Sequence, residues 1–242
     1  MESHLGGHKE KTHLDQGLLM YLKKKYNMTS FLDIGCGTGG MVQLADKLGF
    51  FSEGIEGDKT VMTENNSIIL FDFTKGIYNS DNIYDLGYSV EFLEHIDQKY
   101  IPNYMSAFQL CKYIVITAAP VGWAGHHHVN CQDHEYWIKV FNNYGFYHYP
   151  FETKACRNAS TMNINGKKSW QFIKHRLLFF INSKLINIPE NFKILKKSGI
   201  QLNELYITAQ FDTAEITDMT VLLKKTKQTF KSTIPMVSFI NI

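Results

Sequence analysis

The stretch FLDIGCGTGG at residues 31–40 constrains the fold of this chain more than any other segment. Apolar residues typical of a buried strand run directly into a glycine-rich turn, and a helical pattern follows. Such turns bring backbone N–H groups close to a ligand at the start of a helix. The stretch therefore predicts an α/β fold with a ligand site at the end of its first strand.

Short apolar segments and helical patterns alternate from the N-terminal part of the chain to about residue 120. We expect strands over residues 30–34, 49–55, 67–71, 84–89 and 113–117, and helices over residues 15–26, 40–48 and 101–110. This alternation predicts a mostly parallel sheet with helices on both faces. Beyond residue 150 the pattern fades, so we expect an irregular or strand-bearing segment over residues 154–168 and a helix over residues 170–182.

Asp33, just before the glycines, favours one class of ligand over another. Gly35, Gly37 and Gly40 also satisfy the GxGxxG pattern of dinucleotide sites, and Glu56 lies a suitable distance downstream. A carboxylate at the strand tip would repel a pyrophosphate, but it would stabilise an ammonium group. S-adenosylmethionine carries an ammonium group, so the residues favour it over a dinucleotide.

Over about its first 150 residues the chain resembles the class I S-adenosylmethionine-dependent methyltransferases. The resemblance lies in four stretches in order: FLDIGCGTGG, GIEGD at residues 54–58, ILFDFTKG at 69–76 and YDLGYSVEFLEHI at 84–96. It implies S-adenosylmethionine as cofactor and a Rossmann-like fold with a mostly parallel, seven-stranded sheet. The cofactor-binding residues that it implies are Asp33, Gly35, Gly37, Gly39, Glu56, Asp72, Phe73 and Ser89.

Each part of the resemblance implies a contact with a different part of the cofactor. The glycine loop would hold the amino acid part, and Glu56 would accept hydrogen bonds from the ribose hydroxyls. Asp72 and Phe73 would contact the adenine. Asp58, two residues after Glu56, is expected to be a helix cap instead.

The stretch EFLEH at residues 91–95 is a candidate half of a metal site. If the stretch is helical, Glu91, Glu94 and His95 share one face, at the end of the fourth strand. Together with His128 they would suit a divalent ion such as Mg, Mn, Zn or Fe. Such an ion could hold two adjacent hydroxyls and lower the pKa of one. The arrangement resembles that of the small-RNA 2′-O-methyltransferases and, more loosely, the ubiquinone-pathway O-methyltransferases, but similar stretches occur in class I methyltransferases without a metal.

The stretch GHHHVNCQDH at residues 125–134 follows the fifth strand and supplies candidate bases. An imidazole titrates near neutrality, so His126, His127, His128 and His95 are candidate catalytic residues. Three consecutive histidines cannot all face one site, and in an extended loop His126 and His128 would share a side. The alternative is an exposed polar loop before a helix over residues 134–144.

The leading functional hypothesis is O-methylation of a hydroxylated small molecule or sugar, with acceptor specificity in residues 122–165. Trp123 is the favoured substrate contact among the aromatic residues of that region. RNA 2′-O-methylation is the metal-dependent alternative, although no dense Lys/Arg stripe precedes residue 184 and only residues 193–197 and 224–231 could form one. A non-catalytic cofactor-binding partner subunit and a nicotinamide-dependent oxidoreductase stay open. The tetrapeptide of DNA adenine-N6 and cytosine-N4 methyltransferases is absent, which disfavours DNA bases as acceptors.

Composition and cysteine spacing indicate which partners and which cellular compartment to expect. Twenty-five Lys and Arg against 23 Asp and Glu give a net charge of +2, so no polyanionic partner is required. The four cysteines lack CxxC spacing and no signal-peptide pattern begins the chain, which predicts a cytoplasmic protein with reduced thiols. The apolar run LLFFIN is too short to span a bilayer, so we expect no membrane partner. We expect one domain: a helical leader at residues 1–29, a cofactor-binding half at 30–120, and the acceptor side with C-terminal additions at 121–242.

Overall fold

The computed structural model describes residues 5–6, 12–61 and 67–186. Helices and strands alternate along these residues. In chain order they are α1 (Gln16–Tyr26), β1 (Ser30–Ile34), α2 (Gly40–Lys47), β2 (Phe51–Glu56), β3 (Ile68–Leu70), β4 (Tyr84–Val90), α3 (Ile101–Phe108), β5 (Cys111–Thr117), α4 (His134–Asn143), β6 (Phe146–His148), α5 (Pro150–Ala159), α6 (Phe172–Arg176) and β7 (Leu178–Asn182).

The strands form one seven-stranded sheet in the order β3-β2-β1-β4-β5-β7-β6. The five strands from β3 to β5 pair in parallel, whereas β7 is antiparallel to both β5 and β6. A separate apolar cluster packs on each face of the sheet. The predicted fold class, a Rossmann-like and mostly parallel seven-stranded sheet covered on both faces, is confirmed.

Helix α1 shows how sequence signals fix an element and attach it to the rest of the molecule. Asp15 caps its first turn by accepting from the Leu18 N–H at 3.1 Å. The same carboxylate accepts from the Thr161 N–H at 2.8 Å and from the Ser160 hydroxyl, so the cap also binds the residues that follow α5. Lysines occupy the last turn, where they suit the negative end of the helix dipole.

Helix α4 also begins with a side-chain cap. The Asp133 carboxylate accepts from the Tyr136 N–H at 2.7 Å, and Trp137 is buried in the core. Asp58 acts in the same way for the short 3₁₀ turn Lys59–Val61, since its Oδ1 accepts from the Thr60 N–H. These short polar side chains mark the helix starts correctly because their own geometry, not tertiary packing, sets the cap.

Two predictions beyond residue 150 are wrong over part of their range, although residues 160–167 are irregular as expected. Residues 154–168 were expected to be irregular or strand-bearing, but their first part belongs to helix α5, which begins at Pro150. Few large apolar residues mark this helix. Residues 170–182 were expected to be one helix, but helix α6 is five residues long and the apolar run after it is strand β7.

Strand β7 was mistaken for a helix because it is buried on both faces. Phe179 packs in the cluster on one face of the sheet and Phe180 in the cluster on the other. A strand of this kind lacks alternation of polar and apolar residues, so its pattern cannot be separated from that of a buried helix. In the described part of the chain, every helix is too short or too polar to cross a bilayer. The lysine-rich stretches 193–197 and 224–231 lie outside the described residues.

Candidate active site

The glycine loop after β1 has a backbone that only glycine adopts easily. Gly35, Gly37 and Gly39 have φ angles of 76°, 53° and 75°, all in the left-handed region. A Cβ on Gly35 would lie 2.3 Å from the Phe92 ring, so this position also requires the absence of a side chain. Gly39 is the N-cap of α2. The three glycines predicted to form a ligand loop do form a tight turn at the carboxyl end of β1.

Two buried carboxylates lie beside this loop. Asp33 is 4% exposed, and burial raises its pKa well above the usual range, with the charge of Glu56 adding to the effect. The Glu56 carboxylate accepts from the Gly37 N–H and from the Asp58 N–H, both at 2.8 Å. A buried carboxylate with a raised pKa is stabilised by a cation placed against it. The Asp33 site is therefore suited to an ammonium group.

The third predicted stretch lies beside the same loop. Asp72 Oδ1 accepts from the N–H and the hydroxyl of Thr74, both at 2.8 Å, which fixes the turn after β3. Phe73 is buried and packs edge-on against Phe71 and Phe92. Ser89 is fully buried and donates to the Ile34 carbonyl at 2.8 Å. This bond connects β4 to the end of β1, just before the glycine loop.

A cavity of about 650 Å³ lies at the carboxyl ends of the parallel strands. Six of the predicted cofactor residues line it: Asp33, Gly35, Gly37, Glu56, Asp72 and Phe73. The predicted metal residues Glu91, Glu94, His95 and His128 line it as well. Gly39, Ser89, His126 and His127 are not among the described residues that line it. The cavity thus joins the glycine loop to the carboxylate and histidine cluster that follows β4.

Glu94 is the central residue of this second cluster. It is fully buried, and its Oε1 accepts from the Ala119 N–H at 3.1 Å, while its Oε2 has no partner among the described residues. Burial raises the pKa of Glu94, and the charge of Glu91 raises it further. The Glu94 backbone carbonyl accepts from the N–H groups of Val129 and Asn130, both at 3.0 Å. The histidine loop is therefore anchored directly on the turn after β4.

The imidazoles of His95 and His128 meet beside Glu94. Their ring centroids are 5.0 Å apart, and one ligand atom from each of Glu94, His95 and His128 lies within 4.8 Å of the others. His95 Nδ1 donates to the His126 carbonyl at 2.7 Å, and His128 Nδ1 donates to the Trp123 carbonyl at 2.8 Å. In the neutral form of each ring, these bonds leave the lone pair on Nε2. Both rings can accept a proton or bind a metal through Nε2.

Burial sets the protonation state of His95. It lowers the pKa of His95 to about 4, with the neighbouring His128 contributing in the same direction. The imidazole is consequently neutral at neutral pH, and its lone pair is available. Gly125 makes room for the second ring, because a Cβ there would lie 2.1 Å from His128 Nε2.

Glu91 does not share a helical face with Glu94 and His95, so that prediction is wrong. The helical turn after β4 is a 3₁₀ turn, Leu93–His95, and Glu91 precedes it with φ of 55°. Its carboxylate instead pairs with Arg176 at 2.7 Å and accepts from the Thr117 hydroxyl at 2.8 Å. A left-handed residue between strand and turn redirects the side chain away from the helical spacing that the sequence suggested.

His126 and His127 are not among the described residues that line the cavity. His126 Nε2 donates to the Leu5 carbonyl at 3.1 Å, and a Cβ on Gly57 would lie 3.0 Å from the Leu5 side chain. His127 has φ of 46°, so the loop is not extended there and the expected shared side of His126 and His128 does not form. His128 is thus the one histidine of the triplet that faces the cavity. His126 instead donates to Leu5, which also lines the cavity, and offers its carbonyl to His95.

Aromatic side chains form the outer rim of the cavity. Trp123 and Trp170 both line it and are 45% and 42% exposed. The guanidinium of Arg176 lies between the rings of Trp123 and Phe172, at 4.9 Å and 4.8 Å from their centroids. The sequence indicated only Trp123. Trp170, Phe172 and Arg176 were missed because their segment was assigned to a continuous helix.

Comparisons with known proteins concern the fold. No family model and no curated protein sequence matches this chain. Among solved structures, it is similar to magnesium protoporphyrin IX methyltransferase (ChlM) from Synechocystis PCC 6803 with bound SAH. The identity is 12% over 68% of this chain and 80% of that chain, with a TM-score of 0.45.

Two further solved structures give similar values. The methyltransferase domain of bacterial CtHen1 is 14% identical over 68% of this chain and 95% of that chain, with a TM-score of 0.44. The plantazolicin methyltransferase BpumL, in complex with a triazolic desmethylPZN analog and SAH, is 12% identical over 69% and 82%, with a TM-score of 0.47. The chain's own strand order and glycine loop give it a Rossmann-like α/β fold.

Proposed function

We propose that the protein is an S-adenosylmethionine-dependent methyltransferase that acts on a hydroxyl oxygen of a small molecule or sugar. One observation carries the proposal. A single cavity is lined both by the glycine loop with its buried carboxylates and by the imidazoles of His95 and His128. Methyl transfer to oxygen needs a bound sulfonium donor and a group that accepts the hydroxyl proton, both within reach of each other.

The first group of residues supplies contacts for each part of the cofactor. Asp33 would pair with the ammonium group. Each Glu56 oxygen already accepts one backbone N–H and has a further lone pair for a ribose hydroxyl. Asp72 and Phe73 would contact the adenine, and Gly35 and Gly37 allow the loop to approach closely. Gly39 and Ser89 would act indirectly, through the start of α2 and the Ile34 carbonyl.

The second group of residues would remove the proton. The Nε2 atoms of His95 and His128 are acceptors when the rings are neutral, and His128 is the favoured base because it lies on the acceptor loop. His126 would only hold the loop carbonyl that orients His95. The unpartnered Oε2 of buried Glu94 would stabilise the imidazolium that forms.

The same three side chains suit a divalent metal ion. Glu94, His95 and His128 together offer one carboxylate and two imidazoles, whose Nδ1–H groups are already held by backbone carbonyls. This is the outer-shell arrangement typical of metal-bound histidines. A mixed N/O set favours Mn, Fe or Zn over Mg, which prefers oxygen ligands. When bound, such an ion would lower the pKa of the acceptor hydroxyl. Glu91 could join only by leaving Arg176.

Methyl transfer to an RNA 2′-hydroxyl is a second candidate, favoured by one observation. The segment KKSWQFIKHR at residues 167–176 carries exposed Lys167, Lys168 and Lys174 around the exposed Trp170. Interleaved cations and aromatic rings are typical of surfaces that bind single-stranded nucleic acid. The affinity for short RNA should then fall steeply with salt. It should fall further when Lys167 and Lys168 are replaced together by alanine, and the exposed Lys154→Ala on α5 is the matched control.

Turnover tests the main proposal. We expect the protein to form S-adenosylhomocysteine from S-adenosylmethionine with at least one member of a panel of glycosides, polyols and phenols. Dialysis against a chelator and return of Mn²⁺, Zn²⁺ or Mg²⁺ separates the metal from the histidine base, because only the metal route loses and regains activity. S-adenosylhomocysteine binding without turnover on any hydroxyl acceptor, RNA included, would favour the non-catalytic partner subunit. The absence of any binding would refute the cofactor assignment.

A further inference from the structure

The hydroxyl of Tyr88 is a buried polar group that the proposed function does not use. Tyr88 lies on β4, lines the cavity and is 2% exposed. Its hydroxyl has no hydrogen-bond partner among the described residues. Such a group costs free energy comparable to a lost hydrogen bond, and in a native structure it calls for an explanation.

The sheet register puts Tyr88 directly beside Asp33. The two residues are partners across the parallel pairing of β1 with β4, so their side chains leave the same face of the sheet. Both line the cavity. In the proposed cofactor complex Asp33 pairs with the ammonium group of an α-amino acid. The carboxylate of that amino acid is on the same carbon, so it must lie within a few ångströms of the Asp33 side chain.

The glycine loop has almost no N–H group left for this carboxylate. Of the six N–H groups from Gly35 to Gly40, only that of Thr38 has no partner among the described residues. The five others donate to Ile55 O (from Gly35 and Cys36), Glu56 Oε2 (from Gly37), Cys36 O (from Gly39) and Thr12 Oγ1 (from Gly40). Among the described residues that line the cavity, none is a lysine or an arginine. Among the described residues, the donors left for the carboxylate are therefore the Thr38 N–H and the neutral side chains that line the cavity near Asp33.

We propose that the Tyr88 hydroxyl donates a hydrogen bond to the carboxylate of the cofactor's amino acid part. The inference rests on the proposed function and adds a binding residue to it. Burial raises the pKa of Tyr88 well above its usual range, and the charges of Asp15 and Asp33 raise it further. The group is therefore protonated, and an O–H donor, at neutral pH. Asp33 and Tyr88 would together recognise the two charges of the α-amino acid.

A ligand series combined with a conservative substitution tests this proposal. Tyr88→Phe keeps the ring in the core and removes only the hydroxyl. We expect calorimetry to show S-adenosylhomocysteine binding weakened by about tenfold or more, which corresponds to one hydrogen bond to a charged group. Binding of 5′-methylthioadenosine, which has neither carboxylate nor ammonium, should stay within about twofold. Decarboxylated S-adenosylhomocysteine, which keeps only the ammonium, should bind the wild type and Tyr88→Phe equally.

A matched control removes the same group elsewhere. Tyr104 is fully buried, its hydroxyl also has no partner among the described residues, and it does not line the cavity. Tyr104→Phe should leave all three affinities unchanged. Equal weakening of all three ligands in Tyr88→Phe, or no weakening of S-adenosylhomocysteine, would overturn the proposal.

Three further outcomes are decided by measurements on the wild type. If Tyr88→Phe does not fold, a structure of the wild type with S-adenosylhomocysteine decides. A carboxylate oxygen about 2.7–3.0 Å from the Tyr88 hydroxyl supports the proposal, and a carboxylate directed away from it overturns the proposal. If the wild type binds 5′-methylthioadenosine but not S-adenosylhomocysteine, Tyr88 has no such role. If it binds neither, the proposed function itself fails.

Discussion

The two sides of the cavity are built in different ways. On the proposed cofactor side, comprising Asp33, the glycine loop and Glu56, left-handed φ angles in adjacent residues set the turn, and Glu56 binds Gly37, only 19 residues away. On the acceptor side, comprising Glu91, Glu94, His95, Trp123, His128 and Arg176, the contacts join distant segments. His95 and His126 are 31 residues apart, and Arg176 and Glu91 are 85 apart. The cofactor side depends on local backbone geometry, whereas the acceptor side depends on how separate segments dock.

Replacement of His128 gives the largest effect expected on the acceptor side. His128→Ala removes the one imidazole of the triplet that lines the cavity, so turnover should fall by about 10²–10⁴-fold. The affinity for S-adenosylhomocysteine should stay unchanged, because the cofactor side is independent of this loop. Steady-state kinetics and calorimetry measure the two quantities.

His126→Ala is the matched control for this experiment. It removes a neighbouring imidazole that binds the Leu5 carbonyl and leaves the carbonyl that holds His95 in place. We expect turnover to fall by less than about tenfold. Equal losses in the two variants would mean that the loop acts through its conformation and not through a base.

Replacement of Gly35 tests the local construction of the cofactor side. Gly35→Ala places a Cβ 2.3 Å from the Phe92 ring on a backbone with φ of 76°. Clash and strain together should lower the free energy of unfolding by about 3 kcal/mol and abolish S-adenosylhomocysteine binding. Denaturant unfolding and calorimetry provide the measurements.

Replacement of Gly122 is the control that separates the cost of backbone strain from the cost of a steric clash. It has φ of 79°, but a Cβ there meets no atom within 4 Å. Gly122→Ala should therefore cost only about 1 kcal/mol and leave cofactor binding intact. If both alanine variants cost the same, the close approach of Phe92 to the glycine loop does not matter.

The same contrast explains what could be predicted from the sequence. The glycine loop was predictable because closely spaced glycines in the sequence indicate a turn with left-handed φ angles, and the loop has those angles. The choice among His126, His127 and His128 was not, because it depends on the Glu94 carbonyl that anchors Val129 and Asn130. Periodicity carries no information about such a contact.

The contribution of Arg176 to the acceptor side could not be predicted for a different reason. Its segment was assigned to one long helix, since strand β7 is apolar on both faces and reads like a buried helix. Only the antiparallel return of β7 beside β5 brings Arg176 to Glu91. Errors in element assignment late in the chain therefore removed residues from the predicted acceptor side and did not affect the predicted cofactor residues, all of which precede residue 90.

Removal of Arg176 should loosen the acceptor side alone. Arg176→Met keeps much of the packing between Trp123 and Phe172 and leaves Glu91 without its cation. Burial already raises the pKa of Glu91, so we expect the carboxylate to take up a proton, which limits the cost to about 2 kcal/mol in unfolding. S-adenosylhomocysteine affinity should change by less than about twofold.

A double-mutant cycle isolates this ion pair. Glu91→Gln is the partner variant, and the double variant should lose less stability than the sum of the two single ones. Additive losses would show that Arg176 acts through the aromatic rings and not through Glu91. A large loss of cofactor affinity in Arg176→Met would contradict the independence of the two sides.

Asp85, at the opposite end of β4 from the cavity, provides the smallest test. Burial alone would raise its pKa, but hydrogen bonds from Lys112 and from the backbone and side chain of Thr29 lower it to about 2. Because the folded pKa lies below the unfolded value of about 3.9, Asp85 stabilises the fold above pH 4. This stabilisation is lost as the pH falls from about 4 through about 2. Since Lys112 is partly exposed, we expect Asp85→Asn to cost only about 1 kcal/mol at neutral pH.

The pH dependence of this variant shows whether the scaffold is separate from both sides. The difference in unfolding free energy between wild type and Asp85→Asn should shrink as the pH falls from about 4 to about 2, because the Asp85 carboxyl of the unfolded wild type is protonated in that range while the folded one stays ionised until about pH 2. Cofactor affinity and turnover at neutral pH should not change. A constant difference down to pH 2 would mean that the amide fails for steric reasons, whereas altered cofactor affinity would show that strand β4 transmits strain between its ends. In that case the cofactor side would not be purely local, since Tyr88 and Ser89 lie on the same strand.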